Sequence, residues 1–563
     1  MFPCMVLLAL LCRRLNCDMR NYKMAGWCLV VAALTVSAQA DRWMAGDFHQ
    51  HTFYTDGSDS FDFVMGKNIE FGLDWWANSE HGGRYNRNGI GRHWDDSDVY
   101  ACTPMLGDIT STDGHQNMWR WQSLRDFVWP DILRWRQNHP DKVIFHGVEW
   151  NVPAHEHCSV AIVDSRGTAL SAFEYIFDHN DYDTSRDGEE TEFGRLRKVN
   201  GRRYEEIDGD KVLTDLDMRS QHGDAVAACA WMQKQYDEGK IENGWIIWAH
   251  VERAGPWDPA SGKRGYNIEH FRDFNNAAPD ICFGFEGIPG HQAAIARGNY
   301  GDLSAGGGTY GGAGIYSAAV GGLWDALLGE GRRWFNFANS DHHAHHSKGG
   351  SAFYPGEYLK TWVYTTDEDS DGAYGLNEVA DALRGGNSWS VMGDLIHMLE
   401  FSATQGEAEA RMGGELHATR RRDVSLSITF AGPKTSGSGA TRTVDHIDLI
   451  AGEITGKAQP GTPAYTTPTN ASTRILATFT SNDWNSVGGV NVVEIHVPAD
   501  RDMYYRLRGT DRPPNTAHET DALGNPLADS EAINLGLDRD AEAWADLWFY
   551  SNPIFVYVKQ ETD

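Results

Sequence analysis

Six short apolar runs in this chain each stop on a histidine or an acid. Trp43 to Phe48 leads into His49-Gln50-His51, Leu73 to Asn78 into Glu80-His81, and Val143 to Val148 into Glu149. Trp245 to Ala249 leads into His250, Ile281 to Phe285 into Glu286, and Trp334 to Ala338 into Ser340-Asp341-His342-His343. Runs of this length and composition read as strands, and helix-like stretches lie between them at Phe61 to Phe71, Met118 to His139, Asp224 to Glu238 and Gly322 to Gly331. Strands alternating with helices predict parallel βα units, and ligand-type residues at successive strand ends predict convergence on one barrel mouth. A single His-x-His, such as His155-Glu156-His157 or His343-Ala344-His345, is more often a surface or core pair than a metal site. Six strand ends in succession are harder to explain as loop polarity.

The wording of these strand ends is itself specific. Gly46-Asp47-Phe48-His49-Gln50-His51-Thr52 is followed by Thr55-Asp56-Gly57, then by Ser79-Glu80-His81 and by Gly147-Val148-Glu149 with His157 beyond it. Ala249-His250 and Ser340-Asp341-His342-His343 complete the series. In order and spacing, over roughly residues 43 to 345, it resembles the motif series of the PHP (polymerase and histidinol phosphatase) phosphoesterases. One departure is Val251, where the family often has proline after its Ala-His. The resemblance implies a distorted (β/α)7 barrel holding two or three divalent transition metals. Carried over position by position, His49, His51, Glu149 and Asp341 would hold one metal, and Glu149 with His157 and His250 a second. Asp56, His81 and His343 would hold a third. Imidazole and carboxylate donors suit Zn, Mn or Fe, and a bridging carboxylate holds two cations about 3.5–4 Å apart. The implied catalytic residues are Glu149, Asp341 and His343, and the implied reaction is hydrolysis of a phosphate mono- or diester by a metal-bridged hydroxide.

Around this set stand weaker candidates. Arg84 could bind an anion bidentately, against the alternative of a surface arginine. Glu286 would orient a neighbouring group or cap the Gly287 turn, and His342, His345 and His346 could serve substrate or simply be loop histidines. The glycines from Gly306 to Gly314 lack a following Gly-Lys-Ser/Thr, so they form a lid or a packed turn and not a Walker loop. Trp94, Trp119, Trp121, Trp129 and Trp135 would wall a cleft or fill a core. Asp367, Asp369, Asp371 and Glu378 have the oxygen spacing of a Ca²⁺ loop, but the preceding Thr361 to Thr366 reads as a strand; the rival is an acidic turn capping the helix from Leu376.

The two ends of the chain differ in texture. Arg20 and Lys23, an apolar run from Met24 to Val36 and Ser37-Ala38-Gln39-Ala40 read as an export signal, with a true start at Met19 and a mature chain from Asp41, periplasmic or secreted, with no stable membrane insertion once the signal is removed. Cys102, Cys158, Cys229 and Cys282 remain in that mature chain, as one or two disulfides or as buried thiols. After Gly393, alternating runs at Val424 to Phe430, Val444 to Ile450, Val490 to Val497 and Met503 to Gly509 predict a β-sandwich over 396–563, following a metallohydrolase barrel over 41–395. Trp548 to Val558 forms a closing strand. A formal charge of −30 argues against nucleic acid as partner and leaves a small anionic phosphoester as substrate, since a metal cluster reverses the local potential. Two other readings remain at this stage. One is an amidohydrolase-like enzyme acting on another ester, lactone, amide or organophosphate; the other is a non-catalytic glycan-binding module.

Overall fold

The structure, a computed structural model, describes residues 42–97, 104–208, 210–367, 373–433, 439, 442–529 and 539–559. The leader and its cleavage site, Cys102, and Asp369 and Asp371 of the acidic loop lie outside the described residues. The chain divides into two compact units. Of the smaller, 1–41 with 366–373, only Thr366, Asp367 and Ala373 are described; the larger, 42–365 with 374–563, carries every element named below.

Seven strands position the rim where the histidines gather: β1 (Arg42–Asp47), β2 (Trp75–Asn78), β3 (Val143–Trp150), β4 (Cys158–Val163), β5 (Asn243–Trp248), β6 (Gly284–Ile288) and β7 (Phe335–Ala338). Their spatial order is β7-β6-β5-β4-β3-β2-β1. Parallel ladders join β1 to β2, β2 to β3, β5 to β6 and β6 to β7. β4 runs antiparallel to both β3 and β5, so the sheet is mixed and not the uniform succession of parallel βα units expected from the alternation of runs and helices. Only residues 151–157 separate β3 from β4, too short a connection for the crossover that a parallel pair requires.

The helices follow local signals. α1 (Phe61–Glu70) starts at Ser60, whose side chain accepts the Phe63 N–H, and α2 (Trp129–Asn138) carries Pro130 in its first turn. α3 (Ala169–Phe177) and α4 (Met218–Asp237, capped by Asp217) separate β4 from β5, and α5 (Ile268–Ala277) precedes β6.

Five strands separate β1 from β7, yet the sheet curls until their ends meet. Gln50 and His342 form a parallel bridge, and the N–H groups of His51, Ser340 and Phe48 donate to His342 O, Asp47 Oδ2 and Asn339 Oδ1, each at 2.8 Å. Among the described residues no ladder joins β1 and β7 along their length. Rings fill the inside of the curl: Phe48 lies 5.6 Å from Phe337 and Phe145 lies 4.7 Å from Trp245, between centroids.

The rest of the chain supplies β8 (Leu359–Thr365), α6 (Leu376–Gly385), β9 (Ser388–Met392), β10 (Met398–Gln405), β11 (Ala408–Arg411), β12 (Glu415–Thr419) and β13 (Asp423–Ala431). Then come β14 (His446–Glu453), β15 (Arg474–Thr480), β16 (Asn485–Val487), β17 (Val490–Pro498), β18 (Met503–Thr510), β19 (Trp548–Ser551) and β20 (Ile554–Lys559). From β1 the large sheet continues through β8, β9, β19, β18, β14 and β15, so the β9–β19 ladder joins residues from both sides of 395. A separate antiparallel sheet has the order β11-β10-β13-β17-β16. Val424, Leu426, Ile428 and Phe430 alternate along β13 and share one core with Ile447, Leu449 and Leu507 of the large sheet.

Several secondary features resolve simply. Trp94, Trp119, Trp121 and Trp135 are buried core residues. Gly311 and Gly312 donate their N–H groups to Asp529 at 3.0 and 2.8 Å, so the glycine-rich stretch is a packed turn there. Cys158, Cys229 and Cys282 are buried free thiols, so the disulfide alternative does not hold for them. Glu378 accepts the Gly375 N–H at 2.6 Å and caps α6. Among the described residues no helix is long and apolar enough to cross a membrane.

Candidate metal centre

The rim is organised around one carboxylate. Glu149, at the end of β3 and 1% exposed, faces the rings of five histidines. Its Oε1 lies 3.2 Å from His49 Nε2, 3.0 Å from His157 Nδ1 and 3.0 Å from His250 Nε2. Its Oε2 lies 3.1 Å from His51 Nε2 and 2.9 Å from His81 Nδ1. Asp341, past β7, is the second hub: Oδ1 lies 3.2 Å from His49 Nε2 and 3.4 Å from both His51 Nε2 and His343 Nδ1. Asp56 Oδ2 lies 3.4 Å from both His81 Nε2 and His343 Nε2. The structure thus brings together all nine residues that the sequence nominates as metal ligands.

Subsets of these residues could hold metal ions. Donor atoms within 4.8 Å of one another come from His49, His51, Glu149 and Asp341, from His51, Asp56, His81 and His343, and from His81, Glu149 and His157. A further group joins Glu156 to His157 and His250, so Glu156 stands beside a position expected to use Glu149. The donor set fits divalent transition ions. His49 Nε2, both nitrogens of His51, His81 Nδ1, His157 Nδ1, Glu149 Oε2 and Asp341 Oδ1 are buried and make no hydrogen bond among the described residues. Polar atoms taken out of water normally find such partners, whereas metal donors are aimed at a common point instead of at each other.

Neighbouring groups fix how the rings present themselves. Glu286 places both oxygens 3.0 Å from His49 Nδ1, which leaves Nε2 for the rim. Ser159 also donates to Glu286. His343 Nδ1–H donates to the Asp341 carbonyl at 3.0 Å, leaving Nε2 toward Asp56. Glu80 accepts the Thr52 N–H, the Thr52 and Thr55 hydroxyls and the Asn78 amide, so it holds the turn after His51 and does not join the cluster. His250, His291 and Asp341 all have left-handed backbone, with φ of 31°, 55° and 46°. Such conformations are disfavoured for side-chain-bearing residues and concentrate at functional sites.

Charge coupling across the rim is strong. Burial alone would raise the Glu149 carboxyl, but the rings of His81, His157 and His49 outweigh it and hold the group well below the ordinary range. Burial would likewise depress His49, yet Asp341, Glu286 and Glu149 hold it well above. His250 is pushed down to about 4, chiefly by burial, with Arg253 adding to the effect.

Not every candidate faces the rim. The Arg84 guanidinium lies over the rings of Tyr182 and Trp119, 4.3 and 5.7 Å from their centroids, and not against the cluster's acids. His342 is buried and turned away, its Nδ1–H donating to Phe353 O at 3.0 Å. His345 pairs with Glu357 at 2.9 Å. Three residues that the sequence did not nominate for the site do reach the rim: Glu156, His291 and Arg253. His291 Nε2 lies 3.2 Å and Arg253 Nη2 2.9 Å from Asp341 Oδ2, and Glu156 lies 3.5 Å from His250 Nδ1. Arg253 carried a signal, an arginine three residues past a strand-end histidine. His291 follows Pro289-Gly290 and carried none.

No protein-family model matches the chain, and no curated protein matches its sequence. Among solved structures it is similar to a two-domain protein from Bacteroides vulgatus containing a predicted PHP-like metal-dependent phosphoesterase, with 11% identity and a TM-score of 0.30 over 87% of this chain and 94% of that one.

Proposed function

We propose that this chain is an exported, metal-dependent phosphoesterase of the PHP kind, with a distorted barrel that presents its site at the rim. The observation that carries the reading is Glu149, a buried carboxylate with five imidazoles within 3.2 Å. Five rings around one carboxylate have no structural purpose that a single hydrogen-bonded pair would not serve, whereas a cluster of divalent ions needs such donors. His49, His51, Glu149 and Asp341 would hold one ion, Glu149, His157 and His250 a second, and Asp56, His81 and His343 a third. Bound there, Zn, Mn or Fe would supply Lewis-acid polarisation of phosphoryl oxygens and acidify a water.

The chain's own residues do the rest. Arg253, held by Asp341, is a half-buried cation at the rim suited to a phosphoryl oxygen. Glu286 keeps a proton on His49 Nδ1, and the Asp341 carbonyl keeps one on His343 Nδ1, so Nε2 of each ring is the nitrogen left for a metal. The strands after 396 form a packing and substrate-shaping module, and the leader before Asp41 directs the protein to the periplasm or outside the cell. The test is metal content measured together with turnover of p-nitrophenyl phosphate, bis-p-nitrophenyl phosphate and a panel of lactones and amides. Metal-dependent release from a phosphoester, abolished by chelation and restored by Zn, Mn or Fe, is expected. Turnover confined to lactones or amides would replace this reading with an amidohydrolase-like one.

A further inference from the structure

The connection 151–157 bears two histidines, and they meet different partners. His157 joins the rim through Glu149, while His155, 4% exposed, turns toward His222 of α4 and His270 of α5. Donor atoms of these three rings lie within 4.8 Å of one another. None of the three belongs to the PHP-like motif series.

Hydrogen bonding settles where each ring carries its proton. His155 Nδ1 lies 3.1 Å from the Gly265 carbonyl, which can only accept, so Nδ1 is protonated and Nε2 bears the lone pair. His222 Nε2 lies 3.2 Å from Asp273 Oδ2, and that carboxylate, which also accepts the Tyr465 hydroxyl at 2.6 Å, fixes the proton on Nε2. The remaining nitrogens, His155 Nε2 and His222 Nδ1, face each other at 2.9 Å. With both rings neutral, two lone pairs would be opposed at that distance, which only a positive charge between them makes favourable. His270 is bound differently: its Nδ1 accepts the Asn267 N–H at 3.0 Å, which leaves its proton on Nε2. It is therefore a wall of the site and not a donor, with its centroid 4.6 and 4.7 Å from those of His155 and His222.

We propose that His155 Nε2 and His222 Nδ1 chelate a divalent transition ion of the zinc class at a second site, separate from the rim. A carbonyl behind one ring and a carboxylate behind the other is the outer-shell arrangement that metal-bound histidines use. Nitrogens bound at 2.0–2.1 Å across a tetrahedral angle stand about 3.3 Å apart, so the rings must open by roughly 0.4 Å. His222 is the ring with room to give, its side chain being 15% exposed where His155 is 4% exposed. The alternative occupant is a proton, which 2.9 Å also suits, and the experiment separates the two.

Full-length protein is stripped with a chelator and titrated with Zn²⁺ by calorimetry, and its bound metal is counted after desalting. His222→Ala is expected to take up one equivalent fewer than wild type. Glu149→Gln should lose rim equivalents and keep the His222-dependent one, which the double variant then loses. Asp273→Asn, which leaves both rings in place, should weaken that one equivalent by about 10- to 100-fold. A folded His222→Ala protein that binds as many equivalents as wild type would overturn the proposal and leave a shared proton as the occupant. If His222→Ala does not fold, unchanged affinity in Asp273→Asn overturns it equally. Failure of Glu149→Gln to lose metal would count against the rim assignment alone.

Discussion

At the rim, several buried imidazole and carboxylate atoms, among them both nitrogens of His51 and Glu149 Oε2, make no hydrogen bond among the described residues, whereas buried charges around the C-terminal strands meet in pairs. Arg506 of β18 donates twice to Asp325, at 2.7 and 2.8 Å; Arg508 donates to Asp448 at 2.7 Å, and Arg297 to Asp546 at 2.6 Å. A matched pair is finished chemistry, since each charge compensates the other and the geometry is complete without a third party. Glu149 and Asp341 are unfinished in that sense: their neighbours are donors of lone pairs as much as of protons. Buried polarity alone therefore does not mark a function. Unsatisfied imidazole and carboxylate atoms converging on one point do.

The largest effect should come from breaking a closed pair. Asp325→Ala leaves Arg506 buried without its carboxylate and should cost about 3–5 kcal/mol in urea denaturation. Metal content per folded molecule should be unchanged, and its loss in the folded variant would show that the pair and the rim are coupled. Next is Glu149→Gln, which keeps the shape and removes the charge that holds neighbouring cations together. Phosphoesterase turnover should fall at least about a hundredfold, with reduced metal content, because the site depends on deprotonated ligands. Near-wild-type turnover with full metal would show that the rim is as closed as the C-terminal pairs. His343→Ala is milder: about one equivalent of metal lost and a turnover reduced roughly tenfold, with the Glu149 group still partly occupied.

The most gradual effect concerns acid stability. His146, three residues before Glu149 on the same strand, is buried, and burial, helped by Arg136 and Arg120, pushes it down to about 3. The unfolded chain takes up a proton near the ordinary value of about 6.5 and the folded chain does not until about 3, so unfolded protein binds more protons across that window. Stability from this group is thus complete above about 6.5 and drains away as pH falls toward 3, by at most about 1.4 kcal/mol per pH unit. Metal-free His146→Leu should show a flatter stability profile between pH 7 and 4.5 in urea titrations. A profile as steep as wild type would assign the acid sensitivity elsewhere.

Much of this was legible in the sequence because strand ends and periodicity are local. The run Val143 to Val148 became β3, Val424 to Phe430 became β13, and Met503 to Gly509 became β18, each within two residues. Most of the nine nominated ligands converge because they lie at or soon after the end of a strand that a short apolar run announces. What stayed hidden depends on pairing between distant segments. The antiparallel placement of β4 follows from a short connection and from its partners on both sides, and Cys158 to Val163 by itself does not reveal its direction. His291 reaches Asp341 from a left-handed turn with no motif around it. His155, His222 and His270 come from a connection and two helices, and only the packing of α4 against α5 brings them together.

The meeting of β1 and β7 has a mechanical consequence. A sheet curled until two strands touch, but laddered nowhere along their length, has a seam fastened at one end. That end is the rim: His49 and His51 leave β1, Asp341 leaves β7, and the bridge from Gln50 to His342 lies between them. An ion gripped by all three would act as a rivet across the seam, set at the one edge where the backbone is stitched. Stripping the metal would then do more than silence the chemistry. It would let the curl open from its fastened edge, and the amides of residues 48–52 and 339–343 should be the first to gain solvent exchange.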